Sequence, residues 1–600
     1  MMRMEKDSEL HPAECNGRLS SYVRSVRDRL FSYSSVSLLC YLLLLQAANA
    51  VFFYHQTIVK NNWLLPFLAG ALPMTLLFWI LPALAGNKWL RYMLTALIVV
   101  PFSLLFIYEY HLLMVWDTPI TNSILVHFYT NNPSEANPGY LFGGITFASW
   151  AKGGAILLLL ATVSICRRPI FRLLRRIRYS LGYGIYVVFF SVVFIFSVVA
   201  SRKELYRMDE TTPYNRLALS ERIVLGTMHA VQDNASLNNM IESLSSHSFG
   251  DVSISLQRKP HTVVLIVGES LRRLDMHCYG YPLPNTPVID SLCTMGNMVL
   301  YDDVVTCAPN TNSSLKSMLT YHQTDTEQET DWLDYPTLSR AFSAAGYRTL
   351  WSSNQEKSGF FVEMVAAIAQ TCDSTFYTTA HSTSTWIWGN QENSYDEAVL
   401  PLLKTHEQCD RNLLQVVHLM GSHASFKDRY PESYAKFSGK DIPESRTLEE
   451  NELSAQYMNS IYYNDYVLGE IIKRYENTSS IVIYFSDHGL VRYDDPEHSL
   501  AIVHSNAPTA LQIPFMVYMS PRFIAENPDI CEKVRAASRK PFMADLLPNS
   551  LVALIGIKNS YSNPLLELWS DEYDYSRKRI ISGWNTTTEF TPKYPEYQSK

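Results

Sequence analysis

Apolar residues are distributed unevenly along this chain, with long runs in the first third and short runs between polar segments afterwards. A helix that crosses roughly 30 Å of hydrocarbon needs about 20 mostly apolar residues. After about residue 205 no run is long enough. The pattern predicts an N-terminal α-helical membrane domain, residues 1–204, with five transmembrane helices near residues 34–54, 63–86, 89–114, 143–166 and 179–200.

Basic residues flank these runs on alternate sides, and short loops rich in Lys and Arg stay in the cytoplasm. Six precede the first run, two lie between the second and third, and six crowd residues 167–178. We therefore expect a cytoplasmic N-terminus and an exported region after residue 205. A helix that binds nucleic acid or calmodulin is the alternative for residues 167–178, but their place between two spans favours a topology signal. The first run has no cleavage pattern of small residues, so we expect an anchor and no cleaved signal peptide.

The exported region changes character near residue 261. Residues 205–260 are polar and indicate linker helices, whereas residues 261–600 alternate short β-branched runs with helical stretches such as 333–345 and 453–475. Continuous apolar runs are typical of strands buried on both faces, which predicts an α/β domain whose mostly parallel sheet is covered by helices. The predicted strands are 261–269, 347–354, 413–421, 480–489 and 513–520.

Overall composition hides this division, because 47% hydrophobic residues, 18% charged residues and a net charge of -7 describe an ordinary soluble protein. Six of the nine cysteines lie in the exported part, where disulfides can persist. The sequence contains no Cys-x-x-Cys, which argues against a thiolate zinc site or a thioredoxin-type redox centre.

Ionisable residues end three of the predicted strands, namely Glu269, His418 with His423, and the pair Asp487 and His488. Charge is costly at the end of an apolar strand unless something opposite compensates it, and a divalent cation would do so. Carboxylate and imidazole ligands suit zinc, with manganese as an alternative. The simpler interpretation is that Asp487 caps a helix and Glu269 forms an internal ion pair.

The segment TCAPNTNSSLKSML, which begins at Thr306, leads into a predicted helix and carries hydroxyls at Thr306, Thr311, Ser313 and Ser314. Backbone N–H groups at the start of a helix can hold an anion. A hydroxyl is a poor nucleophile at neutral pH, but coordination to a metal favours its alkoxide form. Ordinary N-capping by Thr311 or Ser313 is the alternative.

Five motifs together identify a family resemblance: GES at 268–270, YGYPLPNTPVID at 279–290, CAPNTNSS at 307–314, HLMGSHASFKDRYP at 418–431 and SDHG at 486–489. Following five predicted spans, this set resembles the phosphoethanolamine transferases of Gram-negative inner membranes, which belong to the alkaline phosphatase and sulfatase superfamily. The likeness extends from the first span to about residue 585.

The resemblance implies roles for individual residues. The zinc ligands would be Glu269, Thr311, Asp487 and His488, with Thr311 also the nucleophile. His423 matches a histidine that contacts the donor or a second zinc ion, and His504 fits the last histidine of the set better than His498 does. Asn122 and Glu135 lie in a segment that resembles the donor-binding loop, where a carboxylate would face the ammonium headgroup; a solvated acid is the alternative for Glu135.

One departure concerns the acceptor. Relatives that modify lipid A carry a second cysteine where this chain has Ser317, so Cys307 would lack that disulfide partner. SLKSML instead resembles the branch that modifies the heptose core of lipopolysaccharide. The acceptor, core heptose or lipid A phosphate, stays open.

The implied reaction transfers phosphoethanolamine from phosphatidylethanolamine to lipopolysaccharide through a phosphothreonine-type intermediate. It implies one Zn²⁺ or two, a multi-pass inner-membrane protein with a periplasmic catalytic domain, and no nucleic-acid partner. Three alternatives stay open: a sulfatase, which position 311 disfavours because it is Thr where Arg is needed; a phosphoglycerol transferase acting on a glycan or lipid; and a non-catalytic membrane sensor.

Overall fold

The computed structural model describes most of the chain, and the chain divides into two compact units, Met1–Asn234 and Ala235–Lys600. The described residues are 21–22, 24–56, 64–115, 147–165, 235–255, 262–326, 330–355, 357, 363–378, 395–409, 411–424, 426–494, 502–503, 505–582 and 587–590.

The first unit contains helices at the first four predicted spans, while the fifth span, 179–200, lies outside the described residues. The helices are α1 (Tyr33–Gln56), α2 (Leu64–Leu84), α3 (Lys88–Val115) and α4 (Phe147–Ile165). Within the described ranges, one helical stretch, Lys88–Tyr110, is long and apolar enough to cross a bilayer. A second is added if Arg24–Leu30 and Tyr33–Asn49, bent by 55°, count as one span. A bundle of five transmembrane helices therefore stays a prediction.

The second unit is an α/β domain. Its strands are β1 (Ser253–Ile254), β2 (Thr262–Gly268), β3 (Met298–Leu300), β4 (Val304–Val305), β5 (Arg348–Ser353), β6 (Ser374–Tyr377), β7 (Leu413–His418), β8 (Ser480–Ser486), β9 (Val491–Arg492), β10 (Ile502–Val503), β11 (Phe515–Met519), β12 (Phe542–Met543), β13 (Ile557–Lys558), β14 (Ile580–Ser582) and β15 (Thr587–Glu589). Its helices are α5 (Pro287–Thr294), α6 (Thr311–Met318), α7 (Leu338–Ala344), α8 (Glu363–Ala369), α9 (Leu448–Tyr475), α10 (Pro508–Leu511), α11 (Pro521–Glu526), α12 (Pro528–Ala536) and α13 (Leu547–Leu554).

Seven strands form the main sheet in the order β3-β11-β8-β2-β7-β5-β6. All neighbours pair in parallel except β11, which runs antiparallel to both β3 and β8. Every residue of β2, β7 and β8 is buried, because helices cover both faces of the sheet. The predicted mostly parallel sheet is confirmed, and all five predicted strands lie in it.

Residues 235–255 pack into this second unit. Strand β1 pairs antiparallel with β13, and Leu244 and Phe249 are buried in the core on one side of the sheet. The long helix α9 covers part of the other side, and a capping box between Thr447 and Glu450 satisfies its first N–H groups.

Strands β8, β2, β7 and β5 are adjacent and parallel, so their carboxyl ends meet at one edge of the sheet. Ligands of open α/β sheets bind at such an edge. The loops that leave these strands begin with Asp487, Glu269, Leu419 and Asn354, and they build the site described next.

Candidate metal centre

Two carboxylates and one imidazole converge at this edge of the sheet. Glu269, Asp487 and His488 are buried, and one ligand atom from each lies within 4.8 Å of the other two. His488 Nε2 is 3.3 Å from Glu269 Oε1 and 3.4 Å from Asp487 Oδ2. This is a ligand set that a divalent cation prefers when no thiolate is offered.

Thr311 completes the group from a different element. It is the first residue of α6, and the N-cap is Asn310, whose side chain accepts a hydrogen bond from Ser313 N. The interpretation of Thr311 or Ser313 as the cap is therefore wrong. Thr311 Oγ1 donates to Glu269 Oε2 at 3.0 Å and lies 3.5 Å from His488 Nε2.

Hydrogen bonds leave particular ligand atoms facing the pocket. Asp487 Oδ1 accepts from Ser270 N at 3.0 Å and from His488 N at 2.7 Å. Asp487 Oδ2 is buried and has no hydrogen-bond partner in the part of the chain that the structure describes. His488 Nδ1 lies 2.9 Å from Gly489 O, to which it donates, so Nε2 is the ring nitrogen that faces the carboxylates. A buried oxygen without a donor and a histidine whose Nε2 faces two carboxylates fit zinc, which would take the place of the Nε2 proton.

The charges of these groups depend on one another. Burial works against the charged form of Glu269, but the hydrogen bond and positive charge of His488 hold its pKa well below the ordinary value. Burial and the nearby Glu269 raise the pKa of Asp487. Burial alone would lower the pKa of His488, but Asp487 and Glu269 raise it to about 9. The negative charge of two buried carboxylates thus attracts whatever cation is offered, a proton on His488 or a metal ion.

Two polar side chains to which the sequence analysis gave no role orient Glu269. Ser270 Oγ donates to Glu269 Oε1 at 2.7 Å. Gln355 Nε2 donates to Glu269 Oε2 at 3.2 Å and to Leu419 O at 2.8 Å. Gln355 directly follows the predicted strand 347–354, so its polar character at the end of a buried strand was a signal that could have identified it.

Two hydroxyls of the CAPNTNSS region hold the other ligand loop. Thr306 Oγ1 and Ser314 Oγ both donate to Asp487 O, the latter at 2.6 Å, and they lie 2.7 Å from each other. Because Ser314 is on α6, these bonds fix the SDHG loop against the helix that begins with Thr311.

The remaining predicted residues fall into two groups. His423 is 6% exposed and close enough for its charge to act on Glu269, and burial lowers its own pKa to about 4. His504, Asn122 and Glu135 lie outside the described residues. His418 ends β7, where its Nδ1 lies 3.2 Å from Ser353 Oγ.

The chain is similar in sequence to known proteins. Residues 261–557 match the sulfatase family model. Over 342 residues the chain is 32% identical to phosphoethanolamine transferase EptC of Escherichia coli strain K12, an alignment that covers 55% of each protein. It is 28% identical over 341 residues to phosphoethanolamine transferase CptA of Salmonella typhimurium, covering 54% of this chain and 55% of that one. The chain thus spans about half the length of the curated relatives that it matches.

A solved structure resembles the second unit. The C-terminal periplasmic domain of Escherichia coli EptC, crystallised in complex with Zn, superposes with a TM-score of 0.53 at 26% identity. The superposition covers 59% of this chain and 99% of that domain.

Proposed function

We propose that this chain, whose residues 261–557 form a domain of the sulfatase family, is a phosphoethanolamine transferase that moves the headgroup of phosphatidylethanolamine to a lipopolysaccharide acceptor. The observation that carries the proposal is the position of Thr311 Oγ1, 3.0 Å from a carboxylate oxygen of the metal-ligand group. Two relatives, each matched over 55% of its length, are named phosphoethanolamine transferases, which supports the proposal.

Thr311 is the proposed nucleophile. Its oxygen attacks the donor phosphorus, the bond from phosphorus to the diacylglycerol oxygen breaks, and a phosphoethanolamine ester of Thr311 remains. Glu269 Oε2 accepts the hydroxyl hydrogen at 3.0 Å before attack, so this carboxylate is placed to take the proton as the Thr311 oxygen attacks. A zinc ion held by Glu269, Thr311, Asp487 and His488 would lower the pKa of the hydroxyl and offset phosphoryl charge.

His423 is the proposed proton carrier for the second half of the reaction. Burial keeps its ring neutral at neutral pH, and a neutral imidazole can accept the proton of the acceptor hydroxyl as that oxygen attacks phosphorus and the bond from phosphorus to Thr311 Oγ1 breaks, which frees the threonine. His504, and Asn122 with Glu135 at the ammonium group, complete the proposed substrate contacts as inferences from sequence. The acceptor is core heptose or lipid A phosphate.

The first unit would hold the enzyme at the lipid surface, with residues 1–204 in the inner membrane and residues 261–600 in the periplasm. Large apolar side chains of the helical bundle face outward, with Trp89 80%, Leu97 67% and Leu158 70% exposed. Outward-facing side chains of this kind suit contact with lipid. A membrane-bound donor would then reach the site by diffusion in two dimensions.

Mass spectrometry of lipopolysaccharide from cells that express the full chain tests the proposal. We expect a phosphoethanolamine increment, its loss in Thr311→Ala, and its retention in Ser313→Ala, a matched removal of a hydroxyl from the same helix. Phosphatidylethanolamine labelled in its headgroup should transfer label, and phosphatidylglycerol should not. Normal modification by Thr311→Ala would remove the nucleophile assignment.

A further inference from the structure

Ser270 contacts both carboxylates of the candidate metal centre. Its side chain donates to Glu269 Oε1 at 2.7 Å, and its backbone N–H donates to Asp487 Oδ1 at 3.0 Å. We propose that Ser270 is a positioning residue for zinc, which sets the orientation of both acidic ligands without touching the metal. This inference rests on the metal site of the proposed function.

The backbone of Ser270 has an unusual conformation. Its φ is +58°, and among the described residues Tyr493 is the other non-glycine with positive φ. L side chains rarely adopt this left-handed region, and residues held there concentrate at functional sites. A glycine would adopt the conformation with less strain, so the presence of a serine is explained if its hydroxyl has a task.

That task is to divide the oxygen atoms of Glu269 between two sets of donors. Ser270 Oγ binds Oε1, while Thr311 Oγ1 and Gln355 Nε2 bind Oε2. The carboxylate plane is therefore fixed from both sides. If the Ser270 hydroxyl is removed, Glu269 Oε1 keeps its contact with His488 but loses the donor at 2.7 Å. The carboxylate of Glu269 can then rotate.

The backbone contact acts on Asp487 in the same way. Ser270 N and His488 N together occupy Oδ1, which leaves Oδ2 directed at the pocket. Ser270 itself is held from behind, because the hydroxyl of the buried Tyr457 donates to Ser270 O at 2.8 Å. One residue thus couples the loop after β2 to the loop after β8.

Two substitutions separate the hydroxyl from the backbone. Ser270→Gly removes the hydroxyl but favours the left-handed conformation and keeps the N–H donor, whereas Ser270→Ala removes the hydroxyl and keeps a side chain at positive φ. Hydrogen-bond partners of metal ligands typically contribute about 10- to 100-fold to metal affinity. We expect both variants to bind zinc about 10- to 100-fold more weakly than the unaltered chain.

Ser422 offers a matched control. It is buried, its backbone N–H donates to Glu269 O at 3.0 Å, and its hydroxyl has no hydrogen-bond partner among the described residues. Ser422→Ala therefore deletes a buried hydroxyl beside the same glutamate without deleting a bond to its carboxylate. Its zinc affinity should equal that of the unaltered chain.

Zinc affinity is measured on the full chain in detergent by competition with a chelator, and melting temperature is measured on the metal-free protein. Weaker zinc binding by Ser270→Gly with an unchanged metal-free melting temperature supports the inference, since a merely structural role would lower the melting temperature. If Ser270→Gly binds zinc like the unaltered chain, the hydroxyl has no positioning role. Failure of the unaltered chain to bind zinc would instead remove the proposed metal site.

Discussion

Gly421 lies against the backbone of Glu269, a proposed zinc ligand, so a side chain at this position would act on the candidate metal centre directly. Its φ is +56°, and a Cβ added there would lie 2.7 Å from both N and O of Glu269. The neighbouring Ser422 N also donates to Glu269 O at 3.0 Å. The loop after β7 therefore cannot accept a side chain without displacing Glu269.

The cost of Gly421→Ala has two parts. The left-handed conformation costs an L side chain about 1–2 kcal/mol. Cβ atoms essentially never come within 3.0 Å of such atoms, so backbone must also shift, and overpacking of this kind costs about 1–3 kcal/mol. We expect the free energy of unfolding to fall by about 2–5 kcal/mol.

Gly346→Ala separates the two parts, because Gly346 has a φ of +83° and nothing lies within 4 Å of an added Cβ. The assay is urea unfolding of both metal-free proteins, followed by zinc titration. Gly346→Ala should lose about 1–2 kcal/mol and bind zinc normally, whereas Gly421→Ala should lose more and bind zinc about 10-fold or more weakly. Equal free energies of unfolding for the two variants, together with unchanged zinc affinity in both, would refute the reasoning.

Three further predictions concern charge and metal. Burial, more than any other cause, raises the pKa of Asp465 to about 7, from 3.8. The contribution of Asp465 to the free energy of unfolding is therefore full below about pH 4 and is lost as pH rises through about 7. Asp465→Asn should make the melting temperature less dependent on pH over this range. Arg492→Gln removes one of the two arginines that pair with the fully buried Asp275 and leaves the other, Arg272, in place; the loss of this charged hydrogen bond should lower the free energy of unfolding in urea by about 1.5–3 kcal/mol. Removal of metal with a chelator should abolish transfer and lower the melting temperature, and added zinc should restore both.

The parts of the fold that the sequence predicts are those governed by burial. Strands β2, β7 and β8 are buried along their whole length, so their apolar runs are unbroken and could be recognised. Strands β3 and β6 are short, partly exposed edge strands, and no comparable run marks them. The same physics identified Glu269 and Asp487, because a charge directly after an apolar strand needs compensation.

The choice among hydroxyls could not be made from local sequence. Thr306, Thr311, Ser313 and Ser314 share one polar segment, and spacing favours none of them. Contacts across the sheet edge decide the matter: Thr306 and Ser314 donate to the backbone of Asp487, while Thr311 reaches a Glu269 carboxylate oxygen. From the sequence, the resemblance to a known family was the evidence that pointed to Thr311, and the contact with Glu269 agrees with it.

A buried ion network beneath the site shows why such contacts escape sequence analysis. Arg272 Nε lies 2.5 Å from Asp275 Oδ2, and Arg492 Nη2 lies 3.0 Å from Asp275 Oδ1. Arg272 follows Glu269 by three residues and Arg492 follows His488 by four, so one carboxylate joins the two ligand loops through their arginines. In the sequence these residues look like ordinary surface charges, and Asp275 and Arg492 are 217 positions apart. We therefore expect the positions of Glu269 and Asp487, the acidic residues proposed as zinc ligands, to depend on a charge balance that exists in the folded chain alone, and removal of Asp275 or Arg492 to disturb both loops together.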